Sequence, residues 1–312
     1  MTELVPFRQG RFADLSDLPR LPHPYFDAPL ESVVVRTDAF GETAARYRRH
    51  GAGPPLLLIH GLMTSSYSWR YVLEPLGRSY TLFCPDLPGA GATSKPRADY
   101  SASNTARWVA AFQEAVGIRG CRTIGNSLGG YVCMQLALAD PGAMSRLVNL
   151  HSPGFPELRL WALRTLLGIP GARALLSGIV RLRPLRWAHR NVHYRDETLK
   201  SLEEARTYAA PLSTREGAAA FASILAESVD PAEMRAFQAV LTSRKAAGQG
   251  FPVPLQLVYA AQDPMVPPRF GPAFAEAIPD AEFVLLENAS HFAHIDATTD
   301  FLAAVEPFLG GE

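Results

Sequence analysis

The five residues Gly125-Asn126-Ser127-Leu128-Gly129 restrict the local fold more than any other stretch of this chain. They follow a short apolar run at 121–124 and open an apolar helical pattern that continues to Ala139. A serine at a tight strand-to-helix turn has a strained backbone, and its hydroxyl is lifted clear of the sheet. The flanking glycines have no Cβ, so strand and helix can approach closely. We therefore predict a strand, a turn and a helix here, with Ser127 as an accessible nucleophile.

Two further apolar runs end in the side chains that a serine nucleophile requires. The run at 255–260 is followed by Asp263, and the run at 282–286 is followed by His291. An unactivated hydroxyl is a poor nucleophile at neutral pH, so it needs a base within hydrogen-bond reach. That base needs a third group to hold its tautomer and stabilise its charged form. We predict that His291 is the base and Asp263 the acid that orients it.

This order of serine, acid and histidine, each just after a predicted strand, is similar to that of the α/β-hydrolase fold family. The likeness runs from about residue 32 to the end of the chain. It implies an α/β fold with a mostly parallel central sheet of about eight strands, helices on both faces and an inserted helical cap. The alternation of strand and helix patterns between residues 54 and 152 also predicts a parallel sheet covered on both faces.

The chain divides into an arm, a core and a cap. Residues 1–30 are rich in Pro and Leu without periodicity, so we expect an arm lying over the core. We expect the α/β core at 31–153 and 251–312, and a helical cap at 154–250, where no strand pattern occurs. The predicted local elements of the core include strands at 32–37 and 43–48, paired as an edge hairpin, and a helix at 68–76. The helical patterns of the cap lie at 157–167, 172–182, 196–208, 214–227 and 231–245.

The family resemblance also implies an oxyanion hole made of two backbone N–H groups. Such donors are oriented before the reaction begins. The first belongs to Leu128, the residue after the nucleophile, at the positive end of the following helix. The second is expected from Leu62, with Met63 as the alternative, because both follow the His60-Gly61 pair. His60 is expected to orient this loop, and Asp86 to be a structural turn residue.

Other polar residues near these positions supply alternatives. His294 is the second choice for the base, and Glu287 and Asp296 are the second choices for the acid. Met63, His294 and Trp161 are the expected pocket-lining side chains. The segment after the strand at 147–150 has no carboxylate, so the other location where relatives keep the acid is absent.

The composition limits the classes of protein to consider. The formal net charge is zero, whereas a nucleic-acid binder would show a basic excess. The three cysteines are scattered without a disulfide or metal-binding spacing, and no metal or organic cofactor is implied. The N-terminal residues lack a signal-peptide layout, and no apolar run reaches the roughly 18 residues of a membrane span. We expect a cytoplasmic protein; the sequence does not indicate its oligomeric state.

The nature of the nucleophile constrains the chemistry. The segment Thr64-Ser65-Ser66-Tyr67-Ser68-Trp69-Arg70 resembles the haloalkane dehalogenase and epoxide hydrolase branch of the family. Those enzymes use an aspartate nucleophile, and dehalogenases place a tryptophan after it, where this chain has Ser127 and Leu128. A serine ether formed at an sp³ carbon would be a dead end, so a serine implies acyl transfer.

We expect a serine hydrolase acting on a small-molecule carboxylic ester with an apolar acyl or alcohol part. The run Gly125-Asn126-Ser127-Leu128-Gly129-Gly130 is also similar to that of hydrolases cleaving carbon–carbon bonds in ring-fission products. Those relatives tend to have a glycine-rich oxyanion loop and a tryptophan near the base, where this chain has Leu62-Met63-Thr64 and Phe292. Thioester, lactone and perhydrolase chemistry also stay open. A further alternative is a non-enzymatic small-molecule binder whose triad is idle.

One stretch of the cap is strongly basic. Between Arg159 and Arg195 there are eight arginines and no acidic residue, interleaved with leucines and two tryptophans. We expect the apolar side of these helices to roof the pocket while the arginines solvate the outer side. The alternatives are docking to an anionic membrane surface and an arginine that binds a substrate carboxylate.

Overall fold

In the part of the chain that the structure describes, an eight-stranded, mostly parallel sheet forms the centre of the protein. The computed structural model describes residues 8–311, so the parts of the arm and core predicted at 1–7 and 312 lie outside the described residues. The strand order is β1-β2-β4-β3-β5-β6-β7-β8, with only the β1–β2 and β2–β4 pairs antiparallel. The strands are β1 Leu30–Thr37, β2 Gly41–His50, β3 Pro55–Ile59, β4 Thr81–Pro85, β5 Cys121–Asn126, β6 Met144–Leu150, β7 Leu255–Ala260 and β8 Glu282–Leu286. The predicted fold class is therefore confirmed, including the antiparallel edge hairpin.

Within residues 8–311, twelve α-helices accompany the sheet. Two large apolar clusters of buried residues pack on its opposite faces, as alternating side chains of β3 illustrate: Leu57 belongs to one cluster and Leu58 to the other. The helices flanking the sheet are α1 Leu73–Gly77, α2 Ala102–Val116, α3 Leu128–Ala139, α10 Phe270–Ala277, α11 Ala293–Asp296 and α12 Thr298–Gly310. The helices between β6 and β7 are α4 Leu158–Gly168, α5 Ala172–Leu182, α6 Pro184–Asn191, α7 Leu202–Leu212, α8 Arg215–Glu227 and α9 Pro231–Ala246.

The helix predicted at 68–76 is wrong in its first half. Residues Ser66–Trp69 form a 3₁₀ turn, and α1 begins only at Leu73. The turn is held from outside the segment, because Asp86 Oδ1 accepts hydrogen bonds from both the amide and the hydroxyl of Ser66. These contacts outweigh the local helical pattern.

The segment between β6 and β7 contains no strand in the described structure, but two of its helices differ from expectation. The helix Pro184–Asn191 was not predicted; it begins with proline at its first position, a favourable place for that residue. The predicted helix at 196–208 is instead a 3₁₀ turn, Glu197–Leu199, followed by α7. The break occurs because Ser201 caps α7 by accepting a hydrogen bond from the amide of Glu204.

The described part of the arm, residues 8–30, lies against this helical segment and the core. Ser16 forms a β-bridge with Ser201, and Tyr25 shares a buried hydrogen bond with Ser66. The three cysteines are buried and free. Within residues 8–311 no single helix is long and apolar enough to cross a membrane; α4 and α5 reach that length and composition only together, across a 98° bend.

Candidate active site

The carboxyl ends of the central parallel strands all meet at one edge of the sheet. Residues that follow these strand ends are therefore brought together although they are distant in sequence. His60 follows β3, Ser127 follows β5, His151 follows β6, Asp263 follows β7 and His291 follows β8. All the side chains predicted for acyl-transfer chemistry thus lie at this edge.

Ser127 occupies a strained backbone position between β5 and α3. Its φ and ψ are 54° and −121°, a conformation that side chains other than glycine rarely adopt. The neighbouring glycines make the turn compact. A Cβ at Gly129 would lie 2.4 Å from the carbonyl oxygen of Ile59, and one at Gly125 would lie 2.6 Å from that of Gly129. The half-buried serine is therefore held in place by backbone packing on both sides of the turn.

The predicted acid and base are joined by a buried hydrogen bond. Nδ1 of His291 donates to Oδ2 of Asp263 at 2.7 Å, and both side chains are almost completely buried. Oδ1 of the same carboxylate accepts from the amides of Met265 and Val266 at 2.7 and 2.9 Å. Burial alone would raise the pKa of Asp263, but the charge and hydrogen bond of His291 hold that pKa below its usual value. The carboxylate therefore stays ionised, and Nε2 is the imidazole nitrogen left for another partner.

The strand-to-helix turn around Ser127, which we call the elbow, is connected through Asn126 to the loop that carries His291. Its Nδ2 donates to the carbonyl oxygen of His291 at 3.3 Å, which ties the residue before Ser127 to the predicted base. In the described residues no hydrogen bond joins Ser127 Oγ to the imidazole. Such contacts are often long in the absence of substrate and tighten when it binds.

Two backbone amides near Ser127 are available as donors. Neither the amide of Leu62 nor that of Leu128 donates to a carbonyl or side chain of the described residues, and Leu128 is the first residue of α3, where helix amides lack intrahelical partners. The loop before Leu62 approaches the elbow closely, because a Cβ at Gly61 would lie 3.0 Å from Cβ of Ser127. These are the two amides predicted for an oxyanion hole.

His60 fixes the loop that carries Leu62. Its Nδ1 donates to the carbonyl oxygen of Gly61 at 2.8 Å, and its Nε2 accepts from the amide of Leu87 at 2.9 Å. Burial lowers its pKa, opposed by the charge of Asp86, so the ring stays neutral. Both nitrogens are occupied, which is the placement expected of a residue that orients the loop.

A small apolar cavity of about 50 Å³ lies beside these amides. Its wall includes Leu62, Met63 and Leu128 from the sheet edge, and Leu212 and Phe221 from α7 and α8. The sheet edge and the helices between β6 and β7 therefore enclose it jointly.

The other predicted pocket residues lie elsewhere. Trp161 and His294 are not among the cavity's lining residues. Trp161 is half-buried on α4 under the guanidinium of Arg235. His294 is fully buried against Trp69, with a ring-centroid distance of 4.4 Å. Of the three predicted pocket side chains, only Met63 contacts this cavity.

The alternative acids are not bonded to His291. Asp296 instead accepts from the hydroxyl of Ser290 and the amide of Arg195, and Glu287 is exposed. Asp86 accepts hydrogen bonds from the neighbouring loops, as a structural residue would.

His151 is a site residue that the sequence did not single out. It has a φ of 54°, is completely buried, and its Nδ1 lies 4.0 Å from Oδ2 of Asp263. Burial lowers its pKa to about 3, with Asp263 raising and His291 lowering it. The carboxylate therefore faces a second, neutral imidazole whose ring nitrogens have no hydrogen-bond partner in the described structure. A polar residue at the end of a central parallel strand was the available signal.

No group of three or more His, Cys, Asp or Glu side chains within residues 8–311 has the arrangement of a metal site.

Proteins of known sequence resemble this chain over most of its length. An uncharacterised protein of Mycobacterium tuberculosis is 29% identical, with 90% of this chain and 83% of that protein covered. A pimeloyl-[acyl-carrier protein] methyl ester esterase of Aeromonas hydrophila is 29% identical over 84% of this chain and 98% of its own. A 2-hydroxy-6-oxo-6-(2'-aminophenyl)hexa-2,4-dienoic acid hydrolase of Metapseudomonas resinovorans is 26% identical over 86% and 88%.

Solved structures share the fold. A thermophilic esterase of Thermogutta terrifontis superposes with a TM-score of 0.69, covering 89% of this chain and 98% of its own at 22% identity. A putative epoxide hydrolase of Pseudomonas aeruginosa superposes with a TM-score of 0.70, covering 90% and 95% at 21% identity. The family model for the alpha/beta hydrolase fold matches residues 54–298. The chain therefore belongs to the alpha/beta hydrolase fold family.

Proposed function

We propose that this protein is a serine hydrolase that cleaves a small carboxylic ester through an acyl-enzyme. The observation that carries the proposal is the buried Asp263–His291 hydrogen bond at the sheet edge where Ser127 occupies its strained turn. A base oriented by a carboxylate beside a nucleophile is the arrangement that acyl transfer requires.

In this mechanism Ser127 Oγ attacks the ester carbonyl carbon while His291 Nε2 takes the hydroxyl proton. Asp263 stabilises the imidazolium without accepting the proton itself. The amides of Leu62 and Leu128 donate to the oxyanion. The imidazolium then protonates the leaving alcohol as the tetrahedral adduct collapses to the acyl-enzyme. Water, deprotonated by the same histidine, attacks the acyl carbon; the second adduct releases the acid and returns the proton to Ser127.

The size of the apolar cavity supports a small substrate group. A dry cavity of roughly 150 Å³ holds a benzene ring, so about 50 Å³ suits a group of roughly two or three carbons. Leu212 and Phe221 limit the cavity on the cap side. We infer that a short acyl or alcohol part occupies it. The likeness to a methyl ester esterase agrees with this inference.

Carbon–carbon bond hydrolysis is the second candidate. It is favoured by the likeness to the Metapseudomonas resinovorans dienoic acid hydrolase. The aminophenyl-substituted acid in that enzyme's name is much larger than this cavity, so we rank the small ester first.

The test is hydrolysis of p-nitrophenyl esters of increasing acyl length by the purified protein, with a ring-fission dienone as the contrast substrate. We expect the acetate and butyrate esters to be cleaved fastest, and Ser127→Ala to lose turnover while keeping the circular dichroism spectrum. Faster cleavage of the dienone would support the second candidate. Substrate binding without turnover of either class would support the non-enzymatic alternative.

A further inference from the structure

The outer side of the cap exposes large apolar side chains next to arginines. Half of the exposed large apolar side chains of the described residues, seven of fourteen, fall between 158 and 185. We call them the outer cap face; they are Leu158, Leu166, Ile169, Leu175, Ile179, Leu182 and Leu185. An exposed apolar set this concentrated marks an interaction site more often than chance scatter does.

Helix α5 shows that this exposure is directional. Leu175, Ile179 and Leu182 follow one another at spacings of four and three residues, so they form one stripe along the helix. They are 67%, 48% and 81% exposed. Leu176 and Val180 lie on another side of α5, in a cluster with Phe221 of α8. The helix thus has a packed apolar side and a second apolar side that contacts solvent.

The charge beside this stripe is positive. Three arginines of the segment are neutralised: Arg159, Arg164 and Arg173 pair with Glu157, Asp230 and Glu227. Four others are exposed at the end of α5 and on α6 and form no ion pair with a described residue; they are Arg181, Arg183, Arg186 and Arg190. Arginines without an ion pair therefore lie at the end of the helix that carries the stripe and on the next helix.

An apolar stripe together with arginines indicates which kind of partner this surface fits. Guanidinium groups bind phosphate oxygens well and reach past apolar side chains on long stems. An apolar stripe beside basic residues is typical of helices that lie in the interface of an anionic membrane. A two-fold contact between two copies would instead bring the same arginines towards one another, which like-charge repulsion disfavours.

We propose that the outer cap face docks on an anionic phospholipid surface. Leu175, Ile179 and Leu182 enter the interface, and the four arginines without an ion pair contact lipid phosphates; Arg186 also lies over the ring of Phe12. Helices α4 and α5 meet at an angle of 98°, so the pair does not form one straight span.

The test is co-sedimentation of the full-length protein with vesicles of phosphatidylcholine, with and without phosphatidylglycerol. We expect binding only to the anionic vesicles and a decrease as salt is raised. The triple variant Leu175→Ser, Ile179→Ser, Leu182→Ser should bind about tenfold more weakly or worse, because it loses its apolar contacts. Changing the four arginines to Gln should abolish the preference for anionic vesicles.

Val34→Ser is the matched control, because Val34 is 44% exposed, close to the 48% of Ile179, but lies on edge strand β1. It should bind like the unchanged protein. Thermal unfolding and hydrolysis of a short soluble ester should be unchanged in all three variants, which separates this proposal from the proposed activity. The proposal is overturned if the protein does not bind anionic vesicles at low salt, or if the triple variant at Leu175, Ile179 and Leu182 binds them as well as the unchanged protein does. It is also overturned if the unchanged protein does not bind vesicles but forms dimers, seen by light scattering, that the triple variant does not form.

Discussion

The elbow around Ser127 and helix α5 of the outer cap face differ in how closely backbone atoms pack around them. At the elbow, a Cβ on Gly129 would lie 2.4 Å from one backbone oxygen and 2.5 Å from another. In α5, a Cβ on Gly178 would meet nothing within 4 Å. The first region is fixed by backbone against backbone, whereas the second leaves open space and exposed leucines. The backbone is therefore closely packed where we propose the chemistry, and it has room for a larger side chain where we propose a membrane contact.

Helix α7, unlike the outer cap face, is fixed to the core by a buried contact, much as the elbow is fixed by backbone packing. Arg70 of the core pairs with Glu204 of α7 at 2.6 Å, and Tyr194 donates to the same carboxylate. Burial would lower the pKa of Arg70, but Glu204 and the surrounding tyrosines keep it raised. Since breaking a buried pair leaves an uncompensated charge, this contact holds α7 on the core.

The largest effect should come from the rigid region. His291→Gln keeps a donor for Asp263 but cannot accept and return a proton, so kcat should fall by about 10⁴-fold or more. The measurement is ester hydrolysis under saturating substrate. His294→Gln is the matched control, because this buried histidine has no hydrogen bond to Asp263 in the described structure; it should keep activity within about tenfold. If His294→Gln lost activity and His291→Gln kept it, His294 would be the base.

A pair of identical glycine substitutions compares the two regions directly. Gly129→Ala should destabilise the protein by about 2–4 kcal/mol, because the new methyl group meets backbone carbonyl oxygens that cannot move freely. Gly178→Ala should stabilise it by about 0.5–1 kcal/mol, because alanine loses less entropy within a helix. Urea unfolding of both variants measures the difference. Similar values for the two would contradict the comparison.

A further prediction concerns His151 and appears as pH dependence. Its pKa is about 3 in the folded protein against 6.5 as the ordinary value, so the unfolded chain binds a proton that the folded protein does not. Stability from this group is complete above pH 6.5 and is lost as the pH falls towards 3. His151→Gln should reduce the slope of unfolding free energy in this window by up to about 1.4 kcal/mol per pH unit. An unchanged slope would contradict the neutral, buried imidazole.

Much of the sheet edge could be predicted because its determinants are local. Glycine spacing and apolar runs predicted the strand-to-helix turn at Ser127 and placed Asp263 and His291 after strands, which is where the structure has them. The contacts that orient these residues could not be predicted in this way. Asn126 donates to the carbonyl oxygen of His291, which lies 165 residues away in sequence, so only the folded chain reveals this contact.

The cap was harder to predict for a further reason. Helical periodicity indicates that α5 has apolar sides but does not say which of them packs on the core. We expected the apolar side to face inward, yet Leu175 and Leu182 are exposed while Leu176 and Val180 pack. The helix predicted at 196–208 is interrupted at Ser201. The side chain of Ser201 accepts a hydrogen bond at the N-terminus of α7, and this local bond competes with the longer helical pattern.

The central claim, that Ser127 is a nucleophile activated by His291, is tested most directly by a fluorophosphonate probe followed by peptide mass spectrometry. We predict one covalent adduct on Ser127, with labelling strongly slowed in His291→Gln and absent in Ser127→Ala. A folded protein that leaves Ser127 unlabelled, or that labels equally well without the imidazole, would contradict it.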